Sequence, residues 1–367
     1  MNKEFEKIDY VLFGSFMFLL LAGFIMIYSS SSVLAYEKYG DGAYFFKRQF
    51  IYALLGAAGA VVFFKADIRA MKKYTPYLLL AAAALIFAVH FPGFGREAGG
   101  AKRWLRMGPL PSFQPFEIAK LFYVIYLAYV FSSEKAGIKS SLIKTAVVTF
   151  VICVGLIFQR DFGGIVIIVS LYVLMLFIGG VPLRVFFLLI PAVAAGFIYL
   201  IRAEPYRIKR IFTYLDPWQD YYGAGWQTIQ SLIAIGSGGV FGTGLSQSQQ
   251  KFHYLPTPHT DYIYSIIGEE LGIAGTLAIL GMFFVILWRG LYIALNVKDK
   301  YFKLLAAGIT FMIIIQAFVH IGVTTGLMPP KGTVLPLLSF GGTSLVVTMA
   351  AAGILLSIST ELHGGKK

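Results

Sequence analysis

LIKTAVVTFVICVGLIFQRDFGGIVIIVSLYVLMLFIGGVPLRVFFLLIPAVAAGFIYLIR, residues 142–202, is the stretch on which the fold turns. It contains three apolar runs, near 142–158, 162–181 and 183–202, parted by only a few residues. Each approaches the roughly twenty residues that a helix needs to cross a hydrocarbon core. None keeps a polar face for water, as a soluble amphipathic helix would. Joints this short force tight antiparallel hairpins. Working outward, further runs of the same kind lie near 10–34, 45–64, 74–92, 114–132, 260–288, 302–328 and 334–359. The pattern predicts an all-α polytopic membrane protein of about ten transmembrane helices, folded as a single domain over 1–367. One large extracytoplasmic loop, 203–258, is expected between spans seven and eight. Composition agrees: the chain is 58% hydrophobic and 13% charged, where a soluble domain carries about 25% charge.

The first span has no small-residue cleavage site behind it, so it reads as retained rather than as a signal peptide. Cys153 is the single cysteine, which excludes intrachain disulfides. The net charge of +13 has no soluble basic domain to carry it to nucleic acid, and an anionic lipid or lipid-linked substrate fits it better. Lys and Arg are shared almost evenly between the two sides. On one side they are scattered over short connections, and on the other they cluster in segments containing Gly and Pro. The first side is taken as cytoplasmic, with both termini on it, and the outer cations as a binding surface for an anion.

Four segments could carry chemistry. In Gly99–Leu121, Lys102, Arg103 and Arg106 form a candidate phosphate cradle. Glu117 and Lys120, at i and i+3 of span four, either bind substrate or make a structural ion pair. In QRDFGG (159–164), Asp161 either caps span six or joins a site. In Lys251–Gly272, His259, Thr260 and Asp261 fall at the outer boundary, with Glu269 and Glu270 deeper. Thr260 or Asp261 could simply cap the helix, yet three carboxylates exceed what a passive span would carry. In Met328–Val346, three prolines and three glycines break the helix, which membrane depth tolerates only where the backbone is buried in protein or lines a wet cavity. Lys331, Ser339, Thr343 and Ser344 are the polar residues there. His90, His253, His259, His320 and His363 are dispersed, no metal-ligand spacing occurs, and no nucleotide-binding glycine loop is present.

KRWLRMGPLPSFQPFEIAKL (102–121), SGGVFGTGLSQSQQKFHYLPTPHTDYIYSIIGEELG (237–272) and PPKGTVLPLLSFGGTSL (329–345) resemble, in order and spacing, the signatures of the SEDS family (shape, elongation, division and sporulation). The IGEELG and PKGTVLPLLSFGGTS stretches, with YGDGAYFFKRQ after the first span, resemble its division member more than its elongation member. The resemblance implies a peptidoglycan glycosyltransferase of the bacterial cytoplasmic membrane that polymerises lipid II, a disaccharide-pentapeptide on undecaprenyl diphosphate. It implies Asp261 as the essential aspartate, Lys331 as the loop lysine, and a class B penicillin-binding protein and other division proteins as partners. Phe116, Arg160 and Gly164 depart from the family's usual Ser, Pro and Thr.

In the expected reaction, Asp261 is the base of an inverting glycosyl transfer. Lys102, Arg103, Arg106 and Lys331 serve the diphosphate, with a divalent ion such as Mg or Mn as a possible helper. Glu117, Lys120, Asp161, His259, Ser339 and Ser344 complete the candidate substrate-binding set. The rival readings are a lipid II flippase without bond chemistry and a non-catalytic scaffold for the penicillin-binding protein.

Overall fold

The computed structural model describes residues 7–98, 101–106, 112–133, 137–202, 205–223, 225–252 and 254–364. Twelve helices are found among them: α1 (Tyr10–Tyr39), α2 (Tyr44–Lys65), α3 (Ile68–Ala88), α4 (Pro115–Ser132), α5 (Ile138–Phe158), α6 (Phe162–Ile178), α7 (Leu183–Arg202), α8 (Pro205–Leu215), α9 (Trp226–Ser237), α10 (Ile263–Asn296), α11 (Lys300–Thr324) and α12 (Gly342–Gly364). Each of the ten expected spans overlaps a helix, although 334–341 of the last lies in irregular backbone ahead of α12. Eight of these helices, α1, α2, α4, α5, α7, α10, α11 and α12, are long and apolar enough to cross a membrane. The other two expected spans are α3, which opens with Arg69, Lys72 and Lys73 and contains Pro76, and α6. At 17 residues α6 is about 26 Å long, just short of a typical hydrocarbon core.

Asp9, Asp67, Asp161 and Asp299 cap α1, α3, α6 and α11, their carboxylates accepting from first-turn amides. The core is built around α4 and α11, most of whose residues are buried. By contrast α7 has no buried residue. It lies at the edge of the bundle, where only a lipid or a partner could cover so apolar a helix.

The structure departs from the sequence reading in three places. The cationic segment ahead of α4 forms an antiparallel hairpin of β1 (Gly95–Ala98) and β2 (Ala101–Leu105), so the fold is not wholly α. Residues 99–100 and 107–111 of that segment lie outside the described residues. The expected loop 203–258 carries α8, a 3-10 turn at Pro217–Asp220 and α9, although 203–204, 224 and 253 lie outside the described residues.

Finally, α10 is broken at Gly272 (φ 66°, ψ −162°), a conformation open essentially to glycine. Residues 239–244 run across the break. Thr243 N and Gly244 N donate to the carbonyls of Glu269 and Glu270, while Ile273 N and Ala274 N donate to Gly239 O and Val240 O. Four backbone groups beside the break are thereby re-paired, as a low-dielectric setting favours.

That arrangement also accounts for the two deeper carboxylates, Glu269 and Glu270. Both are buried and spent on anchoring the 246–251 turn. Glu269 accepts from Ser248 Oγ at 2.5 Å and Gln249 N at 2.8 Å. Glu270 accepts from Ser29 Oγ at 2.5 Å and pairs with Lys251 at 3.2 Å. They are structural carboxylates.

Candidate functional site

Three stretches of irregular backbone converge beside β2: the turn 159–161 between α5 and α6, residues 254–262 ahead of α10, and 325–341 between α11 and α12. Each contains a non-glycine residue with left-handed φ, namely Arg160 (52°), Thr257 (52°) and Leu337 (69°). Such conformations cost about 1–3 kcal/mol each and persist only where surrounding contacts hold them. Among the described residues only Ser246 shares the property, so strain is concentrated where the segments meet.

The contacts are specific. Ser339 Oγ donates to Thr260 O at 2.7 Å and accepts from Leu335 N at 2.8 Å. Phe340 N donates to His259 O at 2.9 Å, and Gln49 Nε2 of α2 donates to Ser339 O at 3.2 Å. The His259 ring lies 4.3 Å from that of Phe45 and 5.8 Å from that of Phe340. His259 and Ser339 are thus the rivets joining the α10 entry to the α12 entry. Burial depresses the His259 imidazole to about 4, so it is neutral near pH 7.

Asp261 does not cap α10: the cap position is Tyr262, and no side chain caps the helix. The Asp261 carboxylate instead lies against the backbone at Gly332, where a Cβ would come within 2.8 Å of Oδ2. Any larger residue at 332 would push the carboxylate aside. Burial raises Asp261 to about 6, against the pull of Lys331 and Arg103. A half-buried carboxylate at that value is ionised at pH 7 yet still basic, the condition a general base needs.

Lys331 stretches over α6. A Cβ at Gly163 would fall 1.3 Å from Lys331 Cε and 1.6 Å from Nζ, so glycine at 163 is the space the lysine occupies. Burial lowers Lys331 to about 8; Asp161 and Glu117 act to raise it, Arg103 and Lys120 to lower it. Asp161 Oδ1 accepts from Gly164 N at 3.0 Å, so capping and a role beside Lys331 are compatible.

Arg103 completes the group. Its guanidinium donates to Arg160 O at 2.6 Å and Gln159 O at 3.3 Å, locking β2 to the turn before α6. Gln159 Nε2 in turn donates to Ile86 O of α3 at 2.7 Å. Proline, with φ held near −65°, could not adopt the conformation of Arg160, so the departure at this position goes with a differently shaped turn. Lys102 and Arg106 are exposed. Alternation along the strand places them on the opposite face from Arg103, and neither is among the charges that act on Asp261 or Lys331.

Glu117 and Lys120 are buried and paired at 2.7 Å. Lys120 also donates to Gln316 Oε1, and its ammonium sits 5.7 Å from the Phe116 ring centroid. Gln316 Nε2 donates to Val334 O at 3.0 Å and Ser344 Oγ at 3.2 Å. This network braces the 331–344 stretch from behind, and it is closed to a ligand at the surface. Gln316, Gln159, Gly163 and Gly332 were not legible as site residues. Gln159, Gly163 and Gly332 lie within the quoted stretches 159–164 and 329–345, and Gln316 is a polar residue in an apolar run. Among the described residues no three His, Cys, Asp or Glu converge to hold a metal.

Residues 10–364 match the model of the FtsW/RodA/SpoVE family, described as a cell cycle protein. The probable peptidoglycan glycosyltransferase FtsW of Geobacter metallireducens is 40% identical over 367 residues, covering 99% of this chain and 97% of that one. Stage V sporulation protein E of Bacillus subtilis is 40% identical over 346 residues, 94% of each. A chain from a solved peptidoglycan synthase complex, described as coordinating polymerization and crosslinking, superposes with a TM-score of 0.80 at 29% identity, covering 96% of this chain and 97% of that one.

Proposed function

The chain belongs to the FtsW/RodA/SpoVE family, the SEDS proteins, and from that premise we propose that it is a peptidoglycan glycosyltransferase polymerising lipid II for the division septum. The carrying observation is Asp261, raised to about 6 beside the cations Lys331 and Arg103 where three strained segments meet. Asp261 takes the proton from an acceptor sugar hydroxyl. The freed oxygen attacks the anomeric carbon of the donor, forming the new glycosidic bond with inversion. The bond to the undecaprenyl diphosphate breaks, and the diphosphate leaves with the electron pair. Lys331 and Arg103 stabilise the charge that develops on it, a preorganised electrostatic role of the kind that dominates many transfers.

This chemistry belongs on the outer face of the bacterial cytoplasmic membrane, with ten spans and both termini cytoplasmic. Cysteines at the exposed Gln219 and Gln249 are expected to label with an impermeant thiol reagent in intact cells, and Lys73→Cys is not. The reverse pattern overturns the orientation. A class B penicillin-binding protein is the proposed partner, seated on the outward face of α10. Phe284 and Trp288 are exposed there, at 67% and 56%. Phe283, next to Phe284 in the chain, is buried in the core.

The test of function is incubation of the purified protein, with its partner, with fluorescent lipid II and separation of glycan by length on a gel. Polymer from wild type and none from Asp261→Asn is the expected result. Wild-type protein that moves lipid II across vesicles yet never joins it would sink the polymerase reading.

A further inference from the structure

Next to the residue that precedes Lys331 lies a cavity of about 280 Å³, lined by Arg210 of α8, Tyr222 and Gly223 ahead of α9, Trp226 and Gln227 in its first turn, Pro256 and Pro330. Its walls are the same backbone that carries the site. Pro330 precedes Lys331, and its carbonyl accepts from Arg210 Nη1 at 3.2 Å. Gln227 Oε1 accepts from the Tyr262 hydroxyl at 3.2 Å, and Tyr262 follows Asp261. Consecutive Cα atoms are about 3.8 Å apart, so the Pro330 wall stands one residue from Lys331, and the Gln227 wall is tied through the Tyr262 side chain to the residue after Asp261.

The lining has a distinct chemistry. Tyr222 and Trp226 are stacked at 20° with centroids 6.1 Å apart. The indole is fixed by a bond from Nε1 to Tyr254 O at 2.7 Å. Tyr222 is 88% exposed, so the aromatic wall opens at the rim. One amide and one guanidinium face this apolar surface. The volume lies just under the ~300–1,000 Å³ of typical small-molecule sites, room for one ring rather than a chain. Aromatic faces with a few polar groups to fix orientation suit an uncharged, hydroxylated ring whose C–H face is apolar. A phosphate would call for more positive charge than one arginine supplies. A second cavity, about 710 Å³, includes Ser133, Ser141, Lys300 and Lys303. It opens at the opposite ends of α4 and α11 and has no part in this site.

We propose that the cavity between α8, α9 and Pro330 is a saccharide subsite that holds one N-acetylhexosamine unit adjoining the sugar that reacts at Asp261. It rests on the polymerase reading for its place in the reaction, but not for its ligand chemistry. The subsite would keep the strand in register during transfer, so its loss would be felt in KM more than in kcat.

The experiment uses the full chain in detergent with triacetylchitotriose as probe, a soluble N-acetylglucosamine trimer without lipid or phosphate. Saturation-transfer NMR is expected to mark its acetyl and ring protons in wild type, and Tyr222→Ala and Trp226→Leu to weaken binding about tenfold. In lipid II polymerisation the same variants are expected to raise KM several-fold with kcat nearly kept. Trp226→Leu also removes the tie to Tyr254. Tyr222→Ala, which deletes an exposed ring, therefore carries the test if the first variant does not fold. Transfer that is absent in wild type, or unchanged in Tyr222→Ala together with an unchanged KM, overturns the subsite while leaving polymerisation intact. Transfer that is lost in the variants of a protein that never polymerises lipid II upholds the subsite and removes the polymerase reading.

Discussion

Replacing Asp261 by Asn should make the protein more stable and inactive at once. Burial holds the Asp261 carboxyl near 6 rather than 3.8, a gap equivalent to about 3 kcal/mol. A folded-state value above the unfolded one means that the stabilisation is complete below about pH 4 and is lost as pH rises through 6. At pH 7.5 the ionised carboxylate therefore costs the folded state about 2–3 kcal/mol, already net of the attraction of Lys331 and Arg103. Asparagine keeps the shape against Gly332 and carries no charge. Thermal unfolding of the purified protein in detergent, run from pH 4.5 to 7.5, should show Asp261→Asn more stable at the upper end, with the difference shrinking towards the lower. Polymerisation should fall by about 10²–10⁴-fold, the usual loss with a general base. A structural ion pair predicts the opposite sign. If Asp261→Asn is destabilised at pH 7.5, or keeps full polymerase activity, the carboxylate is not the strained base described above.

Polymerisation by wild type should rise with pH through about 6 as Asp261 ionises and fall above about 8 as Lys331 loses its proton. Lys331→Gln should move the rising limb upward by removing a charge that favours the carboxylate. His259→Phe should leave that limb in place, since His259 titrates near 4; a pH–rate series separates the two residues. Glu117→Gln and Lys120→Met should each destabilise by about 3–5 kcal/mol by leaving an unpaired buried charge. The double variant should recover most of that loss, and a thermal-unfolding double-mutant cycle checks it. Gly163→Ala should fold, because the flexible end of Lys331 can swing away from the new methyl group. It should nevertheless lose most polymerase activity and the falling limb at pH 8, and retention of both would show that Lys331 has no place over α6.

The membrane fold was legible in residues 142–202 and their counterparts because hydropathy is local: an apolar run of span length has few alternatives to a helix in lipid. The same holds for the break before α12, since Pro329, Pro330 and Pro336 forbid a continuous helix whatever surrounds them. Asp261 and Lys331 could also be singled out, as isolated charges flanking apolar runs. Arg103 and Asp161 could be grouped with them, but the uncharged residues around them could not. Lys331 lies over Gly163, 168 positions earlier, and Gln316 joins Lys120 to the α12 entry. A glycine or glutamine within an apolar run looks the same whether it faces lipid or makes room for a functional side chain. Depth along the span set Asp261 apart from Glu269 and Glu270, but the partners that hold the two glutamates, Ser29, Ser248 and Lys251, come from other parts of the chain and could not be read from it. Composition and periodicity determined which segments enter the membrane and where the helices fail. Packing between segments far apart in the chain decided which of these charges are paired, because burial and pairing are properties of the assembled neighbourhood rather than of any one stretch.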